Sequence, residues 1–192
     1  MRRIFGLVPN VFFLGLVSLF NDFSNQMIFA VMPAFLVSLG AAPVFIGLLE
    51  GFADAFAAVL KIFSGWFSDR IRRRKAVAVT GYALSVATRW VLALVTNIWH
   101  VFALRAIDRI GKGVRESPRD ALLAESVERH ELGRSFGYQR AMDTFGGVIG
   151  PVAAVLLLPF IGGSYRTLFL IGFGVGLFAV FSFLFVRESA VR

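Results

Sequence analysis

The chain has 192 residues, of which 57% are hydrophobic and only 17% charged, with 22 phenylalanines. Soluble domains run near half apolar and about a quarter charged, so this composition exceeds what a water-soluble domain of the same length can bury. There is no cysteine, which excludes disulfides and thiolate metal sites. Where the basic residues fall decides whether the formal net charge of +8 marks a nucleic-acid partner or a membrane topology.

Apolar stretches long enough to cross ~30 Å of hydrocarbon as a helix recur along the chain. Six spans are expected, at 10–39, 44–68, 76–97, 98–117, 136–160 and 165–186, in a single all-α membrane domain covering 1–192. The first follows Met1-Arg2-Arg3 and superficially resembles a signal peptide. It is too long for one and carries Asn21-Asp22 in its middle, so it reads as a retained span. Asp22 shares a helix face with Ser18, Asn25 and Gln26.

In the second span, Glu50, Asp54 and Lys61 form one stripe, with Gly47 and Gly51 beside it to admit a close neighbour. The third span carries Arg89. The fourth is the most heavily charged, with Arg105, Asp108, Arg109, Lys112 and Arg115 at helical spacing. The fifth has Asp143 near its start, then Gly146-Gly147-Val148-Ile149-Gly150-Pro151.

The loops divide unequally in charge. One set, with both termini, holds Arg2, Arg3, Arg70, Arg72, Arg73, Arg74, Lys75, Arg115, Arg119, Arg129, Arg134, Arg187 and Arg192; the other holds Arg166 alone. The positive-inside rule places both termini in the cytoplasm, and the basic excess becomes a topology signal with no nucleic-acid partner implied. Trp66, Trp99, Tyr138 and Tyr165 fall near span ends, where amphipathic rings sit at the headgroups; Trp90 does not.

A charged group near the bilayer centre costs ~2.5–3.5 kcal/mol on insertion scales. These residues therefore face either one another, as structural ion pairs, or a water-filled cavity. Asp108 and Arg109 lean to the structural side. For the set as a whole the cavity is the better account, because buried pairs seldom stabilise more than an apolar replacement would. Asp22, Glu50 and Asp54 are then candidate proton carriers. Asn25, Gln26, Lys61, Arg89 and Arg105 are candidates to line the solute cavity. No phosphate-cradling loop, metal-ligand spacing or nucleophile motif is present, so neither an enzyme, a cofactor nor a resident metal is expected.

The segment Gly65-Trp66-Phe67-Ser68-Asp69-Arg70-Ile71-Arg72-Arg73-Arg74-Lys75 resembles the G-x-x-x-D-R-x-G-R-[RK] loop of the major facilitator superfamily, with Arg72 in place of the internal glycine. Arg105 through Gly113 is similar to that family's arginine-and-glycine motif, although Asp108 and Arg109 replace its usual glutamine and glycine. Gly146 to Pro151 resembles the G-x-x-x-G-P motif associated with exchangers, the alternative being an ordinary small-residue packing seam. The loop from Gly111 to Ser126 looks like that of a bacterial drug-efflux-like branch. That branch commonly carries D-x-S-S-E-M in span one; here it reads Asp22-Phe23-Ser24-Asn25-Gln26-Met27, without the acid.

The resemblance covers the first six-helix half of the family. It implies a bundle with 3+3 repeat and a cytoplasmic gate built on Gly65, Asp69, Arg70, Arg73 and Arg74. It also implies a helix-packing seam at Gly146, Gly150 and Pro151. The expected function is a half-size secondary transporter in the bacterial inner membrane. It would pair with a second six-helix bundle, a separate chain or another copy, and exchange protons for a small solute by alternating access. Alternatives are a non-transporting regulatory or binding subunit and a divalent-metal exporter, the latter from Asn21-Asp22, Ser24 and Met27, a thin ligand set with His100 by an external loop and His130 in a cytoplasmic one.

Overall fold

The computed structural model describes residues 3–42, the positions 44, 47, 51, 55, 58–60, 62, 63, 66 and 70, and 73–188. Those isolated positions have helical backbone. Glu50, Asp54, Lys61, Gly65 and Asp69 lie outside the described residues.

Five helices are formed by the continuous stretches: α1 (Pro9–Ser38), α2 (Arg74–Leu92), α3 (Ile98–Glu125), α4 (Leu132–Phe160) and α5 (Tyr165–Leu184). Among the described residues there is no β-strand, so the all-helical expectation holds; Ile4 and Leu7 only close a tight turn by exchanging backbone hydrogen bonds at 2.9 Å. Local chemistry sets the helix ends. Pro9 opens α1, where its missing N–H costs nothing. The Asn97 side chain accepts from the Trp99 N–H at 2.9 Å to start α3, and Ser164 accepts from the Thr167 N–H at 3.3 Å to start α5. Gly40 ends α1 at φ 88°, a left-handed position that glycine adopts without strain.

The largest departure from the expected layout is at α3. It continues through Pro118 to Glu125, and α4 begins at Leu132 after a 3-10 turn at Arg129–Glu131. The loop expected at 118–135 thus shrinks to a few residues. Hydropathy falls where a chain leaves lipid, but helical hydrogen bonds need not stop there. At 28 residues α3 is about 42 Å long, longer than the hydrocarbon it would cross.

Helix α1 is the centre of the bundle, packing along both α4 and α5, while α2 packs on α3 and α5. Two apolar clusters sit at opposite ends. One joins Met27, Met32, Phe35 and Leu36 of α1 to Leu92, Val101, Leu168 and Phe169. The other joins Leu14 and Val17 to Tyr82, Leu122, Leu123 and Phe183. Between them α1, α2 and α3 bury a polar waist of Ser18, Asn21, Ser24, Ser85, Thr88, Arg89, Arg105 and Asp108.

Glycines set the two tightest helix contacts. A Cβ on Gly150 would lie 2.6 Å from the Phe23 carbonyl oxygen and 2.8 Å from the Met27 nitrogen of α1; Gly146 abuts Leu19 and Phe23 one turn earlier. Gly81 of α2 and Gly111 of α3 meet in the same way, each placing a Cβ 2.8 Å from the other's carbonyl oxygen. On the far face of α4, Phe145, Val148, Val152 and Val155 point outward at spacings of three and four residues and are more than half exposed. The combined segment 129–160 and α5 are the two stretches, among the described residues, long and apolar enough by length and composition to cross a membrane.

Candidate functional site

The polar waist is held together by Arg89. Its guanidinium is 2% exposed and donates from Nη1 to Ser24 Oγ at 2.7 Å and from Nη2 to Asn21 Oδ1 at 2.9 Å. Ser24 passes the connection to α5 by donating to the Gly172 carbonyl. Gly176 makes room for the guanidinium, since a Cβ there would sit 2.7 Å from Nη1. On α3, Arg105 lies 3.7 Å from Asp108 and stacks its guanidinium 5.4 Å from the centre of the Phe29 ring. Arg115 donates to Ser85 Oγ and lies over the Tyr82 ring at 4.7 Å, and Ser85 in turn donates to the Asp108 carbonyl at 3.2 Å. Desolvating these charges is costly, and the hydrogen bonds and mutual attraction offset it.

Beside this waist a cavity of about 620 Å³ opens between α1, α3 and α4. Helix α1 contributes Asn21, Asp22, Asn25, Gln26 and Phe29. From α3 come Arg109, Lys112, Arg115, Glu116, Arg119 and Asp120, and from α4 Phe136, Gln139, Arg140 and Asp143. Several wall residues are paired: Arg119 with Asp120 at 2.8 Å, Lys112 with Glu116 at 4.0 Å, and Arg140 with Asp143 at 3.2 Å. Asn21 donates to Asp22 at 2.9 Å, and Asp143 lines the same cavity from α4. Gln139 donates to Ser18 Oγ at 2.8 Å, tying the same two helices one turn away.

Of the residues singled out in the sequence, Asp22, Asn25 and Gln26 line this cavity together. Arg89 and Arg105 do not. Both are 2% exposed, and their guanidinium groups are turned into the helix interfaces, where Ser24, Asn21, Asp108 and Phe29 hold them. Arg109, which the sequence assigned to internal pairing, reaches the cavity wall. Lys112, Arg115, Arg119, Arg140 and Asp143 were not among the cavity candidates. A signal for three of them was present, since positions 112, 115 and 119 continue the helical stripe of Arg105 and Arg109; only Arg119 falls beyond the expected end of the span at 117.

At one end of the bundle the N-terminal segment, the start of α2, the end of α3 and the end of α5 are pinned together. Arg74 pairs with Glu125. Lys75 Nζ donates to the Val186 carbonyl at 2.5 Å, and its N–H to Glu188 at 3.2 Å. Asn10 donates to the Arg187 carbonyl at 2.7 Å and to Ser126 Oγ at 3.0 Å. Arg3 pairs with Glu131 at 2.9 Å. Of the gate residues expected, Arg74 takes part in this latch, Arg73 immediately precedes α2, and Arg70 lies 5.4 Å over the Trp66 ring.

A charged cavity walled by three helices, with glycine-tight contacts behind it and an outward apolar face, defines a membrane-embedded helix bundle. Residues 14–192 match the family model of the Major Facilitator Superfamily, and the chain belongs to that family. It is similar to the uncharacterized MFS-type transporter MJ1317 of Methanocaldococcus jannaschii, with 34% identity over 183 residues, covering 95% of this chain and 46% of that protein. The uncharacterized protein Rv2265 of Mycobacterium tuberculosis is 33% identical over 151 residues, 79% of this chain and 37% of its own length. The multidrug resistance protein MdtH of Yersinia enterocolitica is 30% identical over 126 residues, 66% of this chain and 31% of its own. The chain spans about half the length of these curated relatives.

Proposed function

We propose that this chain forms one six-helix bundle of a secondary transporter of the plasma membrane, with both termini cytoplasmic, and that it exports a small solute in exchange for protons. The observation that carries the reading is the 620 Å³ cavity, whose wall carries the carboxylates Asp22 of α1 and Asp143 of α4. Carboxylates that wall a membrane cavity are the groups here that can exchange a proton for a cationic group of the solute. Efflux as the direction is supported by the relatives named as multidrug resistance proteins.

In this family substrate is held near the midplane between two bundles that rock about it. The cavity here is open on one side, and a second six-helix bundle, from the same polypeptide, another copy or another chain, completes it. The basic latch around Arg74 and Glu125 is the cytoplasmic gate: the ion pair ties the start of α2 to the end of α3 and opens when the bundles rock. The charge distribution supports this orientation, because Arg3, Arg74, Lys75 and Arg187 gather at the end that holds both termini.

The test is a pH gradient imposed across proteoliposomes that contain the protein with its second bundle, followed with a pH-sensitive dye. Solutes from a broad panel are added in turn. A transported solute collapses the gradient, and Asp22→Asn abolishes the collapse. If no solute collapses it, proton-coupled exchange is wrong.

A further inference from the structure

Resting on the transport reading above, we propose that Asn21 is the positioning residue of the cavity carboxylate Asp22, and that buried Arg89 fixes the direction in which the Asn21 amide acts. Asn21 is 3% exposed, yet it reaches the cavity wall. Successive residues of a helix point about 100° apart. The Asn21 side chain therefore has to bend toward its neighbour, and its Nδ2 donates to Asp22 Oδ1 at 2.9 Å.

The other end of the amide decides the polarity of that bond. Asn21 Oδ1 accepts from Arg89 Nη2 at 2.9 Å. An asparagine amide carries an acceptor on one side and donors on the other, and half a turn about its last bond exchanges them. A guanidinium has donors only, so it admits the amide oxygen and leaves the NH2 group for Asp22. Arg89 is itself held in place. Its Nη1 donates to Ser24 Oγ at 2.7 Å, and a Cβ on Gly176 of α5 would sit 2.7 Å from the same nitrogen. The amide is thereby a fixed donor: Oδ1 of Asp22 is occupied, and Oδ2 is the oxygen left for a proton or for the solute's cationic group.

A donor on Oδ1 binds a carboxylate more strongly than a carboxylic acid, because hydrogen bonds to a charged group are the stronger ones. The simpler role for Asn21 is to satisfy buried Arg89 and nothing more. Asn21→Asp separates the two roles: it keeps the oxygen that Arg89 needs and removes the donor that Asp22 uses. The charged groups that share the cavity with Asp22 stay in place in that variant, from Arg109 to Asp120 on α3 and Arg140 and Asp143 on α4. Arg89 is the cation that approaches from α2, and α5 carries no charged residue beyond Arg166 in its first turn.

The experiment uses the protein purified from its native membrane into lipid nanodiscs. The probe is dicyclohexylcarbodiimide, which adds to a protonated carboxyl and needs no solute. Adduct formation at Asp22 is followed by peptide mass spectrometry at fixed pH, with the unfolding midpoint of each variant taken alongside. Asn21→Asp and Asn21→Leu should each label about tenfold or more faster than the wild type, the factor set by one hydrogen bond to a charged group. Ser24→Ala loosens the other anchor of Arg89 without touching Asp22, and should label close to the wild-type rate. Asn21→Asp is the deciding variant, because Arg89 keeps its acceptor. Labelling at the wild-type rate in Asn21→Asp overturns the proposal and leaves Asn21 as a partner of Arg89 alone. A rate in Ser24→Ala as high as in the Asn21 variants overturns it too, since any loosening of the polar waist would then have the same effect. Faster labelling in both Asn21 variants, with proton exchange that survives Asp22→Asn, would keep the hold of Asn21 on Asp22 and remove the transport reading. Unchanged labelling with Asp22-dependent exchange would remove only the role of Asn21.

Discussion

Adding one methyl group at Gly150 tests the contact that fixes the cavity's geometry. A Cβ at Gly150 would stand 2.6 Å from the Phe23 carbonyl oxygen and 2.8 Å from the Met27 nitrogen. Comfortable separation for such atoms is about 3.5 Å or more, so α1 and α4 must part by close to an ångström. Neither obstacle is a side chain that can rotate away. Overpacking of this kind costs about 1–3 kcal/mol. Working against it, alanine is a better helix former than glycine by ~0.8–1.0 kcal/mol.

Gly147 is the internal control, because a Cβ there meets only the Gln26 side chain at 4.0 Å. Gly147→Ala should therefore be neutral or slightly stabilising, while Gly150→Ala loses roughly 2 kcal/mol relative to it. For a chain of this size that difference corresponds to an unfolding midpoint lower by about 4–8 °C. Circular dichroism at the helical band, in one detergent and with both variants side by side, measures it. Equal midpoints for the two alanines would refute the claim that backbone contact at Gly150 holds α1 against α4.

Three further outcomes follow from the same structure. Arg89→Leu leaves Ser24 and Asn21 without the donor they share and should destabilise the bundle by ~1–3 kcal/mol, with Arg89→Lys recovering part of the loss; the unfolding midpoint and the yield of folded protein report both. Asp22→Asn should abolish solute-driven proton movement in liposomes while shifting the unfolding midpoint by only a few degrees, since its amide still accepts from Asn21. Arg74→Glu should uncouple the latch and raise passive leak, and the exchanged pair Arg74→Glu with Glu125→Arg should restore the wild-type rate in the same flux assay; a double variant no better than the single one would remove the ion pair from gating.

The helical character was legible because burial in lipid forces a long apolar run and makes each polar departure from it conspicuous. Periodicity also grouped Asp22 with Asn25 and Gln26, which share the cavity wall. It could not say which neighbour a face meets. Arg89 and Arg105 are as conspicuous as Asp22 in the sequence, yet they turn into the contacts among α1, α2, α3 and α5. Asp143 gained its significance only from the register of α4 on α1, which the spacing of Gly146 and Gly150 makes possible but does not specify. The cations at 115 and 119 were assigned to the cytoplasmic side by their charge, although α3 carries them on as one continuous helix.

The buried position of Arg89 also constrains how the protein is made. A translocon offering α2 alone to lipid would expose a guanidinium that costs ~2.5–3.5 kcal/mol at the centre of a membrane, and α3 would fare worse with Arg105, Asp108 and Arg109 together. Neither segment is a good independent membrane anchor, and the two stretches among the described residues that are long and apolar enough to cross a membrane follow them. The glycine contact between Gly81 and Gly111 lets α2 and α3 dock face to face as a hairpin, with their charges turned toward each other and toward the polar face of α1. Synthesis therefore has to hold the early helices beside the insertion channel until they can enter the bilayer as a group, and a polypeptide stalled between residues 92 and 98 should be extractable from membranes more readily than one stalled after residue 125.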